Sequence, residues 1–127
     1  MASAVLDSSV VLAVLNEEPG AAAAIDLIPS ALLSSVNLGE VVTKLTERGV
    51  PRSEVRDMID RLECEVVPFD RTQALAAGFL HAATGRKGLS LGDRACVGLG
   101  LARELPVYTA DRPWAELDLG IDIRLIR

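Results

Sequence analysis

Four carboxylates in this 127-residue chain stand where strand-like residues give way to helix-like residues, and this repeated placement constrains the fold most. They are Asp7, Glu40, Asp93 and Asp111, scattered over almost the whole sequence. In an open parallel α/β sheet such positions lie at the carboxyl edge of the strands, where residues remote in sequence converge on one crevice. The placement therefore predicts an anionic pocket at one edge of a parallel sheet.

Short apolar segments alternate with longer helical ones along the chain. Strands are expected at residues 3–6, 31–34, 64–69, 107–109 and 121–126. Helices are expected at residues 10–16, 21–28, 38–48, 53–62 and 91–103, with another from a cap at Asp70 to residue 81 or 83 and a short turn at Pro113. Such alternation without tight hairpin signals indicates one α/β domain over residues 1–127, with a parallel sheet and right-handed crossovers.

Composition agrees with this architecture. Half of the residues are apolar but only 3% are aromatic, so the core must consist mainly of Ala, Val, Leu and Ile. Strands covered by helices on both faces have such cores. No apolar run is long enough to span a membrane, and the first residues lack the basic region of a signal peptide. A cytoplasmic protein is the expectation, and Cys64 and Cys96, which lack metal-ligand spacing, are expected to be reduced.

The net charge of −5 argues against broad, non-specific nucleic-acid binding, which requires a basic surface. It does not exclude a nucleic-acid substrate. Without the four carboxylates, the 18 acidic residues become 14, against 13 basic ones. Local basic residues then matter more than the total charge.

Each carboxylate also has a purely local interpretation. The segments Asn37 to Glu40 and Ser90 to Asp93 both match a helix N-cap followed by an acid at the third helical position. Glu40, Lys44 and Arg48 are spaced like a solvated ladder along one helix face, and Asp7 or Asp111 can be turn residues. Four unrelated caps and turns have no reason to share one end of one layer. The joint pattern therefore favours a pocket.

Packed carboxylates repel one another, so a site that gathers them usually holds a hard divalent cation such as Mg²⁺. Such an ion offsets the charge of a phosphodiester and lowers the pKa of its own water. We expect Asp7 and Asp93 to be direct ligands and Asp111 to bind directly or through water. Glu40 is the candidate for positioning or deprotonating the attacking water.

Several polar residues are candidates for supporting roles. Ser9 and Thr109 can hydrogen-bond ligating carboxylates or metal waters, or serve only as local caps and strand-end groups. The basic candidates for phosphate contacts are Arg86, Lys87, Arg94 and Arg112, for each of which a solvated loop or surface ion pair is the alternative. Trp114 can stack on a base but is expected to pack as a lid on the core.

Four segments, VLDSSV, SVNLGEVV, LSLGDRAC and VYTADRPW, resemble the signature segments of PIN-domain ribonucleases, in the order and at the spacing of small VapC-type toxins. The resemblance covers essentially the whole chain. It implies a three-layer α/β/α sandwich with a parallel, roughly five-stranded sheet. It also implies endonucleolytic cleavage of RNA that depends on Mg²⁺ or Mn²⁺, and inhibition by a cognate VapB-type antitoxin.

Residue by residue, the resemblance assigns Asp7, Glu40, Asp93 and Asp111 to the family's acidic quartet. Ser9, Asn37 and Thr109 match its supporting polar positions. Many relatives carry a further acid where this chain has Pro113, which counts against a fully formed second metal site.

A homodimer that also accepts an antitoxin segment is expected, because a small chain this apolar should leave an aliphatic patch exposed. The candidate patch consists of Val41, Val42, Leu45, Val55 and Ile59.

Other classes fit less well. A receiver-like phosphoacceptor domain needs a second acid beside Asp7, where this chain has Ser8 and Ser9. A haloacid-dehalogenase-like phosphatase needs an acid at the position of Ser9. A PIN-like protein that only binds a metal, RNA or a partner remains open.

Overall fold

The computed structural model describes residues 1–84 and 88–127. Its strands are β1 (Ala4–Leu6), β2 (Ala31–Ser34), β3 (Glu65–Val67), β4 (Val107–Thr109) and β5 (Ile123–Leu125). They form one sheet in the order β3-β2-β1-β4-β5, and every neighbouring pair is parallel. The chain therefore moves outward from β1 to one side through β2 and β3, and later to the other side through β4 and β5.

Helices connect the strands. They are α1 (Ser8–Leu15), α2 (Ala21–Ala24), α3 (Ser35–Glu47), α4 (Arg52–Asp60), α5 (Arg71–Thr84) and α6 (Leu91–Arg103). Among the described residues, the connections also contain the 3-10 segments Ile25–Ser30 and Arg112–Glu116. None of the helices in the described part of the chain has the length and apolarity needed to cross a membrane.

The sheet separates two hydrophobic cores. Leu6 and Leu33 face the first core, which contains side chains of α1, α3 and α4. Val5 and Leu32 face the second, which contains side chains of α6 and the 3-10 segment with Trp114. Since successive strand residues point to opposite faces, this division confirms the predicted three-layer α/β/α sandwich. Trp114 is buried, as expected of a lid on the core.

The helix predicted at residues 21–28 is wrong in its second half. Only Ala21–Ala24 is α-helical, and the chain tightens into the 3-10 segment that contains Pro29. Proline lacks the amide that an α-helix interior needs. The strands expected at residues 64–69 and 121–126 are also shorter, because only Glu65–Val67 and Ile123–Leu125 pair with a neighbour.

The predicted aliphatic patch is largely buried. Val41, Leu45 and Val55 belong to the first core, because α4 docks on α3 and both helices cover the sheet. Val42 and Ile59 line a groove between α3 and α4 with a volume of about 520 Å³. We call this groove the α3–α4 groove.

Both cysteines are free. Cys96 is fully buried in the second core and Cys64 is partly buried against the first. The prediction that they are small apolar core residues without a disulfide is therefore confirmed.

Candidate active site

The switch in strand order at β1 determines where the candidate site lies. The chain leaves β1 at Asp7, β2 at Ser34 and β4 at Thr109, all at the same edge of the sheet. In open α/β sheets ligands bind outside the carboxyl ends of the strands at such a switch point. Helices α1 and α3 begin at this edge, and α6 places its N-terminus close by.

Asp7 is the most buried of the four carboxylates, with 4% of its surface exposed. Its Oδ2 accepts hydrogen bonds from Ser9 Oγ at 2.6 Å and Thr109 Oγ1 at 3.1 Å. Its Oδ1 is buried without a hydrogen-bond partner. Burial raises the pKa of Asp7 from 3.8 to about 6; the Ser9 and Thr109 hydroxyls oppose this rise, and the charges of Asp93 and Glu40 add to it. A buried carboxylate oxygen that accepts no hydrogen bond needs a cation or a donor as its partner.

Ser9 and Thr109 join the end of β1 to the turn after β4. Ser9 Oγ accepts from the Ala110 amide at 2.9 Å, and Thr109 Oγ1 accepts from the Asp111 amide at 3.0 Å. Both hydroxyls donate to Asp7. Ser9 is therefore not the cap of α1, whose N-cap is Asp7 itself. One short network fixes the Asp7 side chain and the backbone of Asp111.

Asn37 is the third residue of α3 and not its cap, which corrects the capping interpretation. The cap is Ser34, whose Oγ accepts from the Val36 amide. Asn37 is fully buried, and its Nδ2 donates to Glu40 Oε1 at 2.8 Å and to the Gly92 carbonyl at 3.0 Å. This amide therefore links α3 to the first turn of α6 and restrains the Glu40 carboxylate.

Asp93 completes the predicted capping box of α6, and it also lies near other carboxylates of the predicted pocket. Its Oδ2 accepts from the Ser90 amide at 2.9 Å, while Ser90 Oγ accepts from the Asp93 amide at 3.1 Å, which is a complete capping box. Asp93 is also close enough to Glu40 and Asp111 for their charges to act on it. Burial raises its pKa; its hydrogen bonds with Ser90 oppose the rise, and those two carboxylates add to it. The cap holds the carboxylate at the site.

The four carboxylates line one crevice of about 700 Å³, which we call the acidic crevice. Helix α3 also contributes Thr43, Lys44 and Glu47 to its wall. Sequence reasoning missed this part, because Lys44 was assigned to a solvated ladder with Glu40. In the structure Lys44 Nζ lies 3.6 Å from Glu47 Oε2 instead. The signal was available, since residues four apart on a helix share a face.

The donor set suits a hard cation, although the acids are not arranged as a closed cage. Within residues 1–84 and 88–127, no group of three or more Asp, Glu, His or Cys side chains could hold a metal ion. Mg²⁺ needs fewer protein ligands, because it usually keeps several waters and binds one or two carboxylates. The unpartnered Oδ1 of Asp7 fits this requirement. Direct ligation by Asp7, Asp93 and Asp111 stays a prediction.

The basic candidates differ in their availability. Arg94 donates from Nη1 to the Ala77 carbonyl at 2.9 Å and from Nε to the Leu89 carbonyl at 3.4 Å, so its guanidinium connects α6 to α5 and to the preceding loop. Arg112 is exposed beside Asp111. Arg86 and Lys87 lie outside the described residues. Phosphate contacts by all four stay predictions.

Comparison with known proteins identifies the family. The family model described as PIN domain matches residues 4–119. No curated protein matches.

Solved structures with the same fold include the DNA-bound VapBC complex from Salmonella typhimurium, with 21% identity, full coverage of both chains and a TM-score of 0.79. VapC20 from Mycobacterium tuberculosis, described as a toxin that cleaves the sarcin–ricin loop, has 20% identity and a TM-score of 0.73, with 91% of this chain and 97% of that chain covered. VapBC-5 from the same organism has 25% identity and a TM-score of 0.64, with 100% and 99% covered. The segments at Asp7, Glu40, Asp93 and Asp111 thus lie within a fold shared with VapBC toxins, and this chain belongs to the PIN-domain family.

Proposed function

We propose that this protein is a Mg²⁺-dependent endoribonuclease that acts as the toxin of a toxin–antitoxin pair. The observation that carries the proposal is the buried, unpartnered Oδ1 of Asp7, which faces no donor at a sheet edge where Glu40, Asp93 and Asp111 also converge. Membership of the PIN-domain family excludes the receiver-like and phosphatase alternatives. The similarity to a toxin whose described substrate is the sarcin–ricin loop supports RNA as the substrate class.

Each carboxylate has a distinct task in this proposal. Asp7 and Asp93 hold the ion, because Asp7 has a free oxygen and Asp93 is fixed by its capping box. Asp111, exposed at the mouth of the crevice, binds it directly or through water. When bound, Mg²⁺ would offset the negative charge of a phosphodiester and make the attacking water more acidic. Glu40 orients that water and takes up its proton.

RNA must approach an acidic crevice, so cations near its mouth are required to bind the flanking phosphates. Lys44 lines the crevice, and more than half of its side chain is exposed. Arg112 is exposed next to Asp111. We assign phosphate contacts to these two residues first. Arg94 donates to backbone carbonyls, whereas Lys44 forms only an exposed ion pair with Glu47, which a phosphate can replace.

The test is incubation of the purified chain with total RNA, with and without Mg²⁺, compared with Asp7→Ala. Cleavage that requires Mg²⁺ and is lost in Asp7→Ala is expected. Asp118→Ala, which changes an exposed carboxylate outside the crevice, is the matched control and should cleave like the wild type. A folded wild type that binds RNA and Mg²⁺ without cutting would establish the non-catalytic alternative.

The same proposal includes a VapB-type antitoxin as the inhibiting partner. The α3–α4 groove offers an apolar surface built from Leu38, Val42, Val50, Val55 and Ile59, with Arg52 and Arg56 beside them. Helix α3 lines both this groove and the acidic crevice. A segment that fills the groove could therefore place an Arg or Lys among the carboxylates, where a guanidinium competes with Mg²⁺.

Antitoxin affinity should then fall when Mg²⁺ is raised, and also in Ile59→Ser. The control Ile25→Ser changes an exposed Ile outside the groove and should leave affinity unchanged. Affinity that is insensitive to Mg²⁺ and to Asp7→Asn combined with Asp93→Asn would show that inhibition acts elsewhere.

A further inference from the structure

The first turn of α6 touches the Glu40 carboxylate at a position that has no side chain. A Cβ built on Gly92 would lie 2.5 Å from Cδ and 2.7 Å from Oε1 of Glu40, and closer still to Oε2. These separations are far shorter than van der Waals contact. Gly92 is buried, so the carboxylate occupies the volume that any other residue at this position would fill.

Two features of α3 direct Glu40 into this space. Asn37 Nδ2 donates to Glu40 Oε1 at 2.8 Å, and the same nitrogen donates to the Gly92 carbonyl at 3.0 Å. The amide therefore ties the Glu40 carboxylate to the very turn against which it rests. Asn37 is fully buried, which fixes its own orientation.

We propose that Gly92 is a positioning residue for Glu40: the missing side chain lets the Glu40 carboxylate rest on α6, within reach of Asp93 and Asp7. The inference rests on the proposed function for its catalytic meaning, while the contact itself is independent of it. Glycine has a lower helix propensity than Ala. At this position the lower propensity accompanies a close contact between the α6 backbone and the Glu40 carboxylate.

Substitution of Gly92 should affect activity more than folding. The atoms that would collide with a Cβ are the end of a flexible side chain and not backbone. In Gly92→Ala the Glu40 side chain can therefore swing away, and the fold is kept while the carboxylate leaves its place. We expect Gly92→Ala to melt within about 4 °C of the wild type, since the lost hydrogen bond is partly offset by the better helix propensity of Ala.

A double-mutant cycle with Glu40→Ala tests the contact without any metal or RNA. In the wild-type background, Gly92→Ala should lower the melting midpoint or leave it unchanged. In the Glu40→Ala background it should raise the midpoint, because the obstructing carboxylate is gone and Ala is the better helix former. Effects that simply add would overturn the proposal.

Gly98→Ala is the control on the same helix. A Cβ at Gly98 would meet its nearest neighbour, Leu80 Cδ1, at an ordinary 3.7 Å. Its effect on the midpoint should be the same in the wild-type and Glu40→Ala backgrounds. Coupling as large as that of Gly92 would mean that Glu40→Ala perturbs α6 generally, which would also overturn the assignment.

Cleavage kinetics supply the functional readout. Gly92→Ala should lower kcat about tenfold or more with little change in KM, and it should not lower kcat further when Glu40 is already Ala. Full activity of Gly92→Ala would contradict the positioning role. If the wild type does not cleave RNA, the proposed function fails, and the melting cycle still decides whether Gly92 positions Glu40.

Discussion

Asp7 combines deep burial with an unsatisfied oxygen, and this combination makes its charge costly in the metal-free protein. Its pKa is about 6 in the folded state against an ordinary value of 3.8, mainly because of burial. The folded protein therefore binds this proton more tightly than the unfolded chain does. Binding of a cation in place of this proton, which passes to the solvent, would remove the cost of the charge, as expected of a metal ligand.

Stability of the metal-free protein should decrease as pH rises from about 4 to about 6. In this interval the unfolded Asp7 is already ionised while the folded one is not, so the slope of the unfolding free energy is negative. At about 1.4 kcal/mol per pH unit, the full interval corresponds to about 3 kcal/mol. Denaturant titrations between pH 4 and 7 should show the decline in the wild type and a flatter profile in Asp7→Asn. A decline of equal size in Asp7→Asn would assign it to other groups.

Asp93 should respond differently to two substitutions, because it is both a cap and a member of the crevice. Asn keeps an oxygen that can accept from the Ser90 amide, so Asp93→Asn should leave the metal-free melting midpoint unchanged or raise it through relief of repulsion. Asp93→Ala leaves that amide without its partner and should cost about 1 kcal/mol. Ser90→Ala, which removes the other half of the box, should cost a similar amount. Equal losses of stability in Asp93→Asn and Asp93→Ala would argue against repulsion between Asp93 and the other carboxylates.

At the scale of elements, the crevice depends on helices being tied to one another by single polar side chains. Asn37 links α3 to α6, and Arg94 links α6 to α5. Ser9 links α1 to the turn after β4. These links place carboxylates from α3 and α6 beside Asp7 at the end of β1.

We therefore expect Arg94 to have a structural role and Arg112 to bind the substrate. Arg94→Met loses the hydrogen bond to Ala77 and should cost about 1 kcal/mol of stability, with the salt dependence of RNA binding unchanged. Arg112→Met should keep stability and reduce the magnitude of the salt slope by about one. Chemical denaturation and RNA binding at several salt concentrations measure the two effects. The reverse pattern would show that Arg94 contacts phosphate.

At the scale of the whole molecule, the acidic crevice joins the middle of the sheet to helices on both of its faces. A ligand there binds only the folded state, since the unfolded chain does not bring the carboxylates together. It should therefore stabilise the entire domain.

Mg²⁺ at about a hundredfold excess over its Kd should raise the unfolding free energy by about 2.7 kcal/mol. Thermal melts with increasing Mg²⁺ measure this effect. Asp7→Asn should lose most of the increase, whereas Asp118→Asn should retain it. An identical increase in all three proteins would indicate a general salt effect.

Association into a homodimer stays a prediction, and its surface must now be sought away from Val41, Leu45 and Val55. Leu75 and Phe79 are four residues apart on α5 and are 46% and 75% exposed. An apolar pair this exposed marks a candidate contact surface. Light scattering at micromolar concentration should show a dimer that Phe79→Asp dissociates and Ile25→Asp does not. A monomeric wild type would remove the prediction.

The resemblance to PIN-domain ribonucleases implied the three-layer arrangement. The sequence alone determined the order of strands and helices along the chain and the placement of the four carboxylates of the crevice. These properties follow from local patterns: apolar runs, helix breakers, and acids at the ends of strands. The capping box at Ser90 and Asp93 was equally visible, since it involves residues three apart in one helical turn.

Only the tertiary structure decided what depends on contacts between elements distant in sequence. Asn37 matched a cap by its spacing, but it lies inside α3 because Ser34 already caps the helix, and its partner Gly92 is 55 residues away. Val41 and Leu45 looked available for a partner until α3 was placed against the sheet and α4 against α3. The role of Gly92 was hidden for the same reason, since the space that a missing side chain leaves is apparent only when the group that fills it, the Glu40 carboxylate, has been brought against it by folding.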